Sequence, residues 1–375
     1  MRKVFTLLCL IVLAALVPAA ARERWSEQQA KDWYAHQPWI LGANYIPATA
    51  INQLEMWQAE TFDPSRIDAE LGWAEAIGMN SMRVFLHDLP WQQDPEGFRQ
   101  RIDTFLGIAA RHHMRILFVL FDSVWDPSPH LGVQHAPVPG VHNSGWVQSP
   151  SAAVLSDAAQ YPRLEEYVKG VVGAFASDRR ILGWDVWNEP AYSDEVGGSY
   201  AALEAHQKGQ WVRALLPRVF AWARAAGAAQ PLTSGLWGED WERPPQLSGT
   251  PMIQLEESDV ISFHSYDKPP VFERKVIALS RYHRPLICTE YMARSEGSTF
   301  AGTLPLARKY HVGAINWGLV QGKTQTIYPW DSWQKPYDHE PKPWFHDILR
   351  TDGRPYDPRE TAFIREMSAT KRALE

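Results

Sequence analysis

Short apolar runs recur along the chain, separated by longer segments in which apolar residues follow a helical spacing. Eight runs are rich in β-branched and aromatic residues and predict strands at 39–47, 81–91, 115–125, 181–190, 231–238, 260–267, 285–294 and 312–320. Continuous apolar runs are typical of parallel strands buried on both faces. Their alternation with helical segments indicates repeated βα units.

Helical spacing is clearest between the first two strands. There Ile67, Leu71 and Ala74 recur three or four residues apart behind Asp63, a residue suited to cap a helix. Similar periodicity predicts helices at 96–113, 161–177, 200–227, 270–283, 299–310 and 358–373. The segment 246–258 shows little periodicity, so the helix after the fifth strand is the weakest element of the pattern.

Eight strands and intervening helices favour one closed (β/α)8 TIM barrel, because no glycine-rich phosphate or dinucleotide motif accompanies them. An open sheet of eight or more strands is the alternative. The connections after strands three and eight, at 126–160 and 321–344, are longer than the others. In a barrel both lie at the carboxyl ends of the strands, where active sites occur.

The amino terminus has the pattern of a signal peptide. Arg2 and Lys3 precede an apolar run that ends in three alanines before Arg22. We expect a signal peptide at 1–21, a catalytic barrel domain at 22–375, and a secreted or periplasmic protein. The mature chain would keep one cysteine and form no internal disulfide.

Charge and composition limit the classes of partner that we expect for the protein. With 37 basic and 43 acidic side chains the formal net charge is −6, which gives no reason to expect binding to nucleic acid or an anionic membrane. The chain has 18 tryptophans. Some belong to the core, and others predict an aromatic-lined cleft. The sequence does not indicate an oligomeric state.

Two glutamates stand at predicted strand ends. Glu189 closes strand four in GWDVWNEP, and Glu290 closes strand seven in ICTEY. A barrel points such residues into one basin. Cleavage of a glycosidic bond needs two carboxyl groups, one to protonate the leaving oxygen and one to attack the anomeric carbon or activate water.

Further polar residues stand at other strand ends. Arg83 lies near the end of strand two, where a buried arginine requires a carboxylate partner. His264 and Tyr266 alternate on strand six and so point to one side, which places the tyrosine hydroxyl to hold the attacking carboxylate. Trp317 closes strand eight with a flat apolar face. Each residue alone has a structural explanation, but their coincidence indicates a site.

Together these residues resemble the retaining glycoside hydrolases of clan A, most nearly the cellulase-like enzymes of family five. The motifs WNEP, HSY and TEY and the strand-eight tryptophan carry the resemblance, which spans residues 42–317. It implies that Glu189 is the acid/base, that Asn188 binds the sugar 2-hydroxyl, and that Glu290 is the nucleophile.

The resemblance also implies supporting roles. Tyr266 and Arg83 would fix the charge of the nucleophile, His264 would line the same subsite, and Trp317 would lie under the sugar ring. Other candidates for substrate contact are the aromatic residues Trp125, Trp146 and Trp330 and the loop residues Asp122, Glu239, Asp240 and Trp241. The family usually has a histidine after strand three, and FVLFDSVWD departs from that pattern.

The expected mechanism is double displacement with retention, without a metal or organic cofactor. It requires the carboxyl groups to lie about 5–5.5 Å apart, with Glu189 protonated and Glu290 ionised. We expect the second carboxylate and an apolar neighbour, Trp184 or Trp187, to raise the pKa of Glu189.

Other functions remain open at this point. One is a noncatalytic carbohydrate-binding barrel. Another is a metal hydrolase that uses His130, His135 and His142 with Asp122 or Asp126, although these spacings match no compact ligand set. For a glycosidase, the sequence is compatible with xylan, mannan or glucan, with internal or terminal cleavage, as by an exo-acting β-mannosidase, and with transglycosylation.

Overall fold

The computed structural model describes residues 22–190, 205–237 and 249–369. The predicted signal peptide and three candidate substrate contacts, Glu239, Asp240 and Trp241, lie outside these residues. None of the described helices is long and apolar enough to cross a membrane.

Eight parallel strands form the centre of the protein. They are β1 Leu41–Asn44, β2 Ser81–Phe85, β3 Arg115–Val119, β4 Ile181–Asp185, β5 Leu232–Thr233, β6 Ile261–His264, β7 Leu286–Glu290 and β8 Gly313–Asn316. Their order is β5-β4-β3-β2-β1-β8-β7-β6. A parallel bridge between Leu236 and Phe263 joins the two ends of this sheet. The strands therefore form the predicted (β/α)8 barrel rather than an open sheet.

Helices surround the barrel. In the described part of the chain they are α1 Glu27–Ala35, α2 Gln53–Trp57, α3 Pro64–Ala76, α4 Asp88–Gln93, α5 Pro95–Arg111, α6 Ala152–Leu155, α7 Tyr161–Ala174, α8 Ala205–Ala225, α9 Thr250–Glu257, α10 Pro269–Ser280, α11 Phe300–Lys309 and α12 Pro358–Ala369. As predicted, Asp63 caps α3 by accepting a hydrogen bond from the Arg66 backbone N–H at 2.9 Å. The weakly patterned segment forms α9, where Pro251 sits in the first turn and removes no hydrogen bond.

β4 has a register shift at Leu182 where it pairs with β3, and the side chains beyond the shift alternate between the barrel interior and the helix layer. Leu182 belongs to a compact interior cluster to which residues of β3, β7 and β8 also contribute. Trp184 points to the opposite face and stacks on Phe118 at 5.7 Å. Asp185 returns to the interior, where it meets Arg83. Trp184 is therefore not the apolar neighbour of Glu189 that we expected, because it is adjacent to Asp185 in the strand and adjacent side chains face opposite sides.

Candidate active site

The two glutamates meet at the carboxyl end of the barrel. Glu290 is the last residue of β7, and Glu189 lies four residues beyond β4. One oxygen of each carboxyl group and one ring nitrogen of His264 all lie within 4.8 Å of one another. His264 Nδ1 is 2.7 Å from Glu189 Oε1 and 3.6 Å from Glu290 Oε2. Residues 101 positions apart thus share one buried pocket.

Both carboxylate oxygens of Glu290 accept hydrogen bonds from neighbouring side chains. Arg83 donates from Nη1 to Oε1 at 2.8 Å, and the Tyr266 hydroxyl donates to Oε2 at 2.7 Å. Burial raises the pKa of Glu290 to about 7, against the opposing effects of Arg83 and Tyr266. Because both partners stabilise the anion, they favour the ionised carboxylate that a nucleophile needs.

Among the described residues, no cationic side chain donates a hydrogen bond to Glu189, and its side-chain partner is the ring of His264. Burial, then the charges of Glu290 and Asp122, raise its pKa well above the usual value. Its ring partner His264 is neutral, because burial lowers the pKa of that imidazole well below its ordinary value. Glu189 also has a φ of 43°, in the left-handed region. Such a backbone conformation costs about 1–3 kcal/mol and persists at functional sites where the surroundings enforce it.

Arg83 connects four strands beneath the pocket. Its guanidinium is fully buried and donates to Asp185 at 2.8 and 3.0 Å, to Asn188 Oδ1 at 2.6 Å and to Asn44 Oδ1 at 2.8 Å, besides Glu290. One carboxylate partner of Arg83 was predicted from the sequence, and Asp185 is a second one that was missed. The sequence did contain a signal for Asp185, because it is an acidic residue in an apolar strand and directly precedes VWNEP.

Asp122 lies behind the pocket rather than in its lining. Its Oδ2 accepts from Trp146 Nε1 at 2.7 Å, and its Oδ1 accepts from Asn188 Nδ2 at 2.9 Å. Burial raises the pKa of this carboxyl to about 6. The structure therefore places Asp122 as a support for Asn188 and Trp146. It was a candidate to read sugar hydroxyls, and its oxygens are engaged with these protein donors.

The pocket above the glutamates has a volume of about 100 Å³ and is mostly aromatic. Its ring-bearing walls are Trp125, Trp146, Trp237, Tyr266, Trp317 and Trp330. The four tryptophans expected to contact substrate all line it, and sugar stacking on them stays a prediction. Trp237 was missed, although it ends strand five as Trp317 ends strand eight.

Three polar residues from the long loops also line the pocket: His142, Asn143 and His346. Asn143 and His346 were not predicted, because nothing in their local sequence pattern distinguishes them from other loop residues. His142 was considered only as a metal ligand.

The histidine-rich loop does not assemble that metal site. His130 and His135 are exposed, and each ring nitrogen lies against a carbonyl of its own loop. Among the residues that the structure describes, the one group of three candidate ligands is Glu189, His264 and Glu290. Potential ligands therefore converge at the two glutamates and not in the loop after β3.

No protein-family model matches the chain, and no curated protein sequence is similar to it. Solved structures share its fold. The GH5_18 protein of Streptomyces cattleya in complex with Manβ1-4GlcNAc has a TM-score of 0.57 at 15% identity, over 88% of this chain and 79% of that one. An exo-β-1,4-mannosidase from Opitutaceae bacterium strain TAV5 gives 0.56 at 16% identity, over 88% and 59%. An endo-1,4-β-mannanase from Rhizomucor miehei gives 0.56 at 13% identity, over 89% and 96%. The chain therefore has the barrel fold found in family 5 glycoside hydrolases, in agreement with the resemblance of its motifs.

Proposed function

We propose that the protein is a retaining β-glycosidase that cleaves β-linked oligo- or polysaccharides. The observation that carries this proposal is the approach of a Glu189 oxygen to within 4.8 Å of a Glu290 oxygen in an aromatic pocket. Retaining enzymes hold their carboxyl groups about 5–5.5 Å apart, whereas inverting enzymes need about 6.5–9.5 Å to fit a water. The short separation favours direct attack by one carboxylate.

Glu290 acts as the nucleophile in this proposal. Its carboxylate attacks the anomeric carbon and forms a covalent glycosyl ester, while Arg83 and Tyr266 hold both oxygens in position. The carboxyl proton of Glu189 moves to the leaving oxygen in the same step. In the second step Glu189 removes a proton from water, which attacks the anomeric carbon and releases Glu290.

The environments of the two groups agree with these roles. The pKa of Glu189 is raised well above its usual value, while Arg83 and Tyr266 limit the rise for Glu290. A pair of carboxyl groups with separated pKa values is the usual arrangement for an acid and a nucleophile. A noncatalytic sugar-binding barrel has no need of this separation.

Candidate sugars come from the neighbours of the fold. One of them is an exo-β-1,4-mannosidase, another an endo-1,4-β-mannanase, and a third is in complex with Manβ1-4GlcNAc. β-Mannosides are therefore the first substrates to test, followed by β-glucosides and β-xylosides. The predicted signal peptide favours a substrate that lies outside the cytoplasm.

The roles are tested with an aryl β-glycoside that has an activated leaving group. Glu290→Ala should abolish turnover, because no intermediate can form. Glu189→Ala should still form the intermediate, since this leaving group needs no acid. Added azide should attack the anomeric carbon of that intermediate, accelerate its breakdown and give a β-glycosyl azide. Glu273→Gln is the control, because Glu273 pairs with Lys309 far from the pocket. Near-normal turnover by Glu290→Ala would overturn the proposal, as would release of the α-anomer first in an NMR time course of the wild type.

A further inference from the structure

The long loops after β3 and β8 form one wall, which we call the loop wall, residues 124–146 and 324–346. The Asn143 N–H donates to the Thr324 carbonyl at 2.7 Å, and the His142 N–H donates to Ser332 Oγ at 2.9 Å. Trp125 stacks on Trp333 with ring centroids 4.9 Å apart and an angle of 11° between the planes. These contacts join segments almost 200 residues apart in sequence. Because β3 and β8 flank β2 and β1 in the barrel, the joined loops cross over that side.

The position of the proposed acid decides which end of the substrate faces this wall. In an eight-stranded barrel β4 and β8 lie opposite each other. The acid protonates the oxygen that leaves the anomeric carbon, so the leaving saccharide lies beside Glu189 on the β4 side. The sugar that is transferred extends the other way, toward β8, β1 and β2.

On that side the pocket is bounded by a cluster of packed aromatic rings. Phe85, Trp146 and Trp317 pack edge to face, with ring centroids 5.1 to 5.8 Å apart. Behind them is a cavity of about 20 Å³, compared with about 100 Å³ for the pocket itself. Since one water needs about 10–15 Å³, the space behind the rings does not admit a second sugar.

Two residues of the loop wall that line the pocket, Asn143 and His346, each carry a polar atom that faces a possible ligand. Asn143 Oδ1 and His346 Nε2 are buried and have no hydrogen-bond partner among the described residues. His346 Nδ1 lies against the Met292 carbonyl, which only accepts, so Nδ1 carries the proton and Nε2 is an acceptor. Buried polar groups are almost always paired, so unpaired acceptors in a pocket indicate a ligand that donates hydrogen bonds. Sugar hydroxyls are such donors.

Resting on the proposed function, we propose that the protein is exo-acting: it releases single sugars from the nonreducing end, and Asn143 and His346 determine specificity by accepting hydrogen bonds from the terminal sugar. The loop wall blocks longer chains from extending past this sugar. The leaving saccharide is not limited in length by the wall.

The test uses β-1,4-linked tetrasaccharides of mannose, glucose and xylose that are reduced at the reducing end, with products measured at low conversion. We expect a free monosaccharide and a trisaccharide that keeps the reduced end. Early disaccharides would show internal cleavage and overturn exo action while leaving the glycosidase proposal intact. Release of the reduced unit alone would also overturn it. Failure to cleave any β-glycoside would instead remove the proposed function itself.

The role of Asn143 is tested by paired substitutions at one position. Its φ of 50° is left-handed, so glycine fits the backbone and removes only the side chain, whereas aspartate keeps an acceptor oxygen. Asn143→Gly should lower kcat/KM on the cleaved tetrasaccharide about tenfold or more, and Asn143→Asp should stay within a few-fold of the wild type. His135→Ala, an exposed residue of the same loop, is the control. Equal kcat/KM for Asn143→Gly and the wild type, with unchanged melting temperatures, would remove Asn143 from substrate recognition.

Discussion

Replacing Tyr266 by phenylalanine isolates one hydrogen bond to the proposed nucleophile. The tyrosine hydroxyl donates to Glu290 Oε2 at 2.7 Å, inside a buried site. A hydrogen bond to a charged group contributes about 1.5–3 kcal/mol, and one pKa unit corresponds to about 1.4 kcal/mol. Since the bond favours the anion, its loss should raise the pKa of Glu290 by about one to two units from its value of about 7.

The sign follows from the role of Glu290. A nucleophile reacts only when it is ionised, so kcat/KM falls as the pH falls through its pKa. In Tyr266→Phe this acid limb should move up by about one to two units, and activity on the acid side should drop about 10- to 100-fold. The measurement is the pH profile of kcat/KM on an aryl β-glycoside.

Tyr291→Phe provides a matched control. Tyr291 is also buried, follows Glu290 directly in the chain, and has a hydroxyl without a hydrogen-bond partner in the described structure. Its removal should leave the acid limb in place. Coincident acid limbs for Tyr266→Phe and the wild type would refute the assignment of Tyr266 and Glu290.

Two further substitutions test the buried charges. Arg83→Met leaves Asp185 and Glu290 buried without their partner, so the free energy of unfolding should fall by about 3–5 kcal/mol in urea titrations at pH 8. The loss should be smaller at pH 5, because the two carboxyl groups can take up protons there. An equal loss at both pH values would contradict this explanation. Burial raises the pKa of Asp347 to about 7 in the folded protein. The contribution of this group to the stability of the folded state is therefore complete below the pKa it has in the unfolded chain, and it is lost as the pH rises through 7. Asp347→Asn should therefore gain about 3 kcal/mol of stability relative to the wild type between pH 5 and pH 8, and a difference between the two proteins that does not change with pH would refute the shift.

The sequence predicted all eight strands because parallel strands are buried on both faces and need continuous apolar runs. Their lengths were overestimated for a related reason. Residues 120–123 remain buried although β3 ends at Val119, because the chain beyond the strand passes under the loop wall. Hydrophobic pattern reports burial, whereas a strand ends where its ladder of hydrogen bonds ends.

The residues of the site also fall into two groups, those that the sequence predicts and those that it does not. Glu189, Glu290, Arg83 and Tyr266 could be found because they stand at strand ends, whose meeting place the barrel fixes. Asn143 reaches the pocket through a hydrogen bond to Thr324, 181 residues away in the chain. No local pattern encodes such a contact, so loop residues that complete the pocket were beyond sequence reasoning.

The charge of the buried cluster explains why one glutamate keeps its proton. Asp122, Asp185, Glu189 and Glu290 lie around one fully buried guanidinium, and burial raises the pKa of all four carboxyl groups. Four anions in a medium of low polarity are not balanced by Arg83 and the nearby Lys208, whose charge opposes the rise in the pKa of Glu189, so at least one group takes up a proton. Arg83 donates to Asp185 and Glu290 and not to Glu189, whose nearest ring nitrogen belongs to a neutral histidine. The proton therefore belongs on Glu189, and the arginine beneath the pocket assigns the acid as well as the nucleophile.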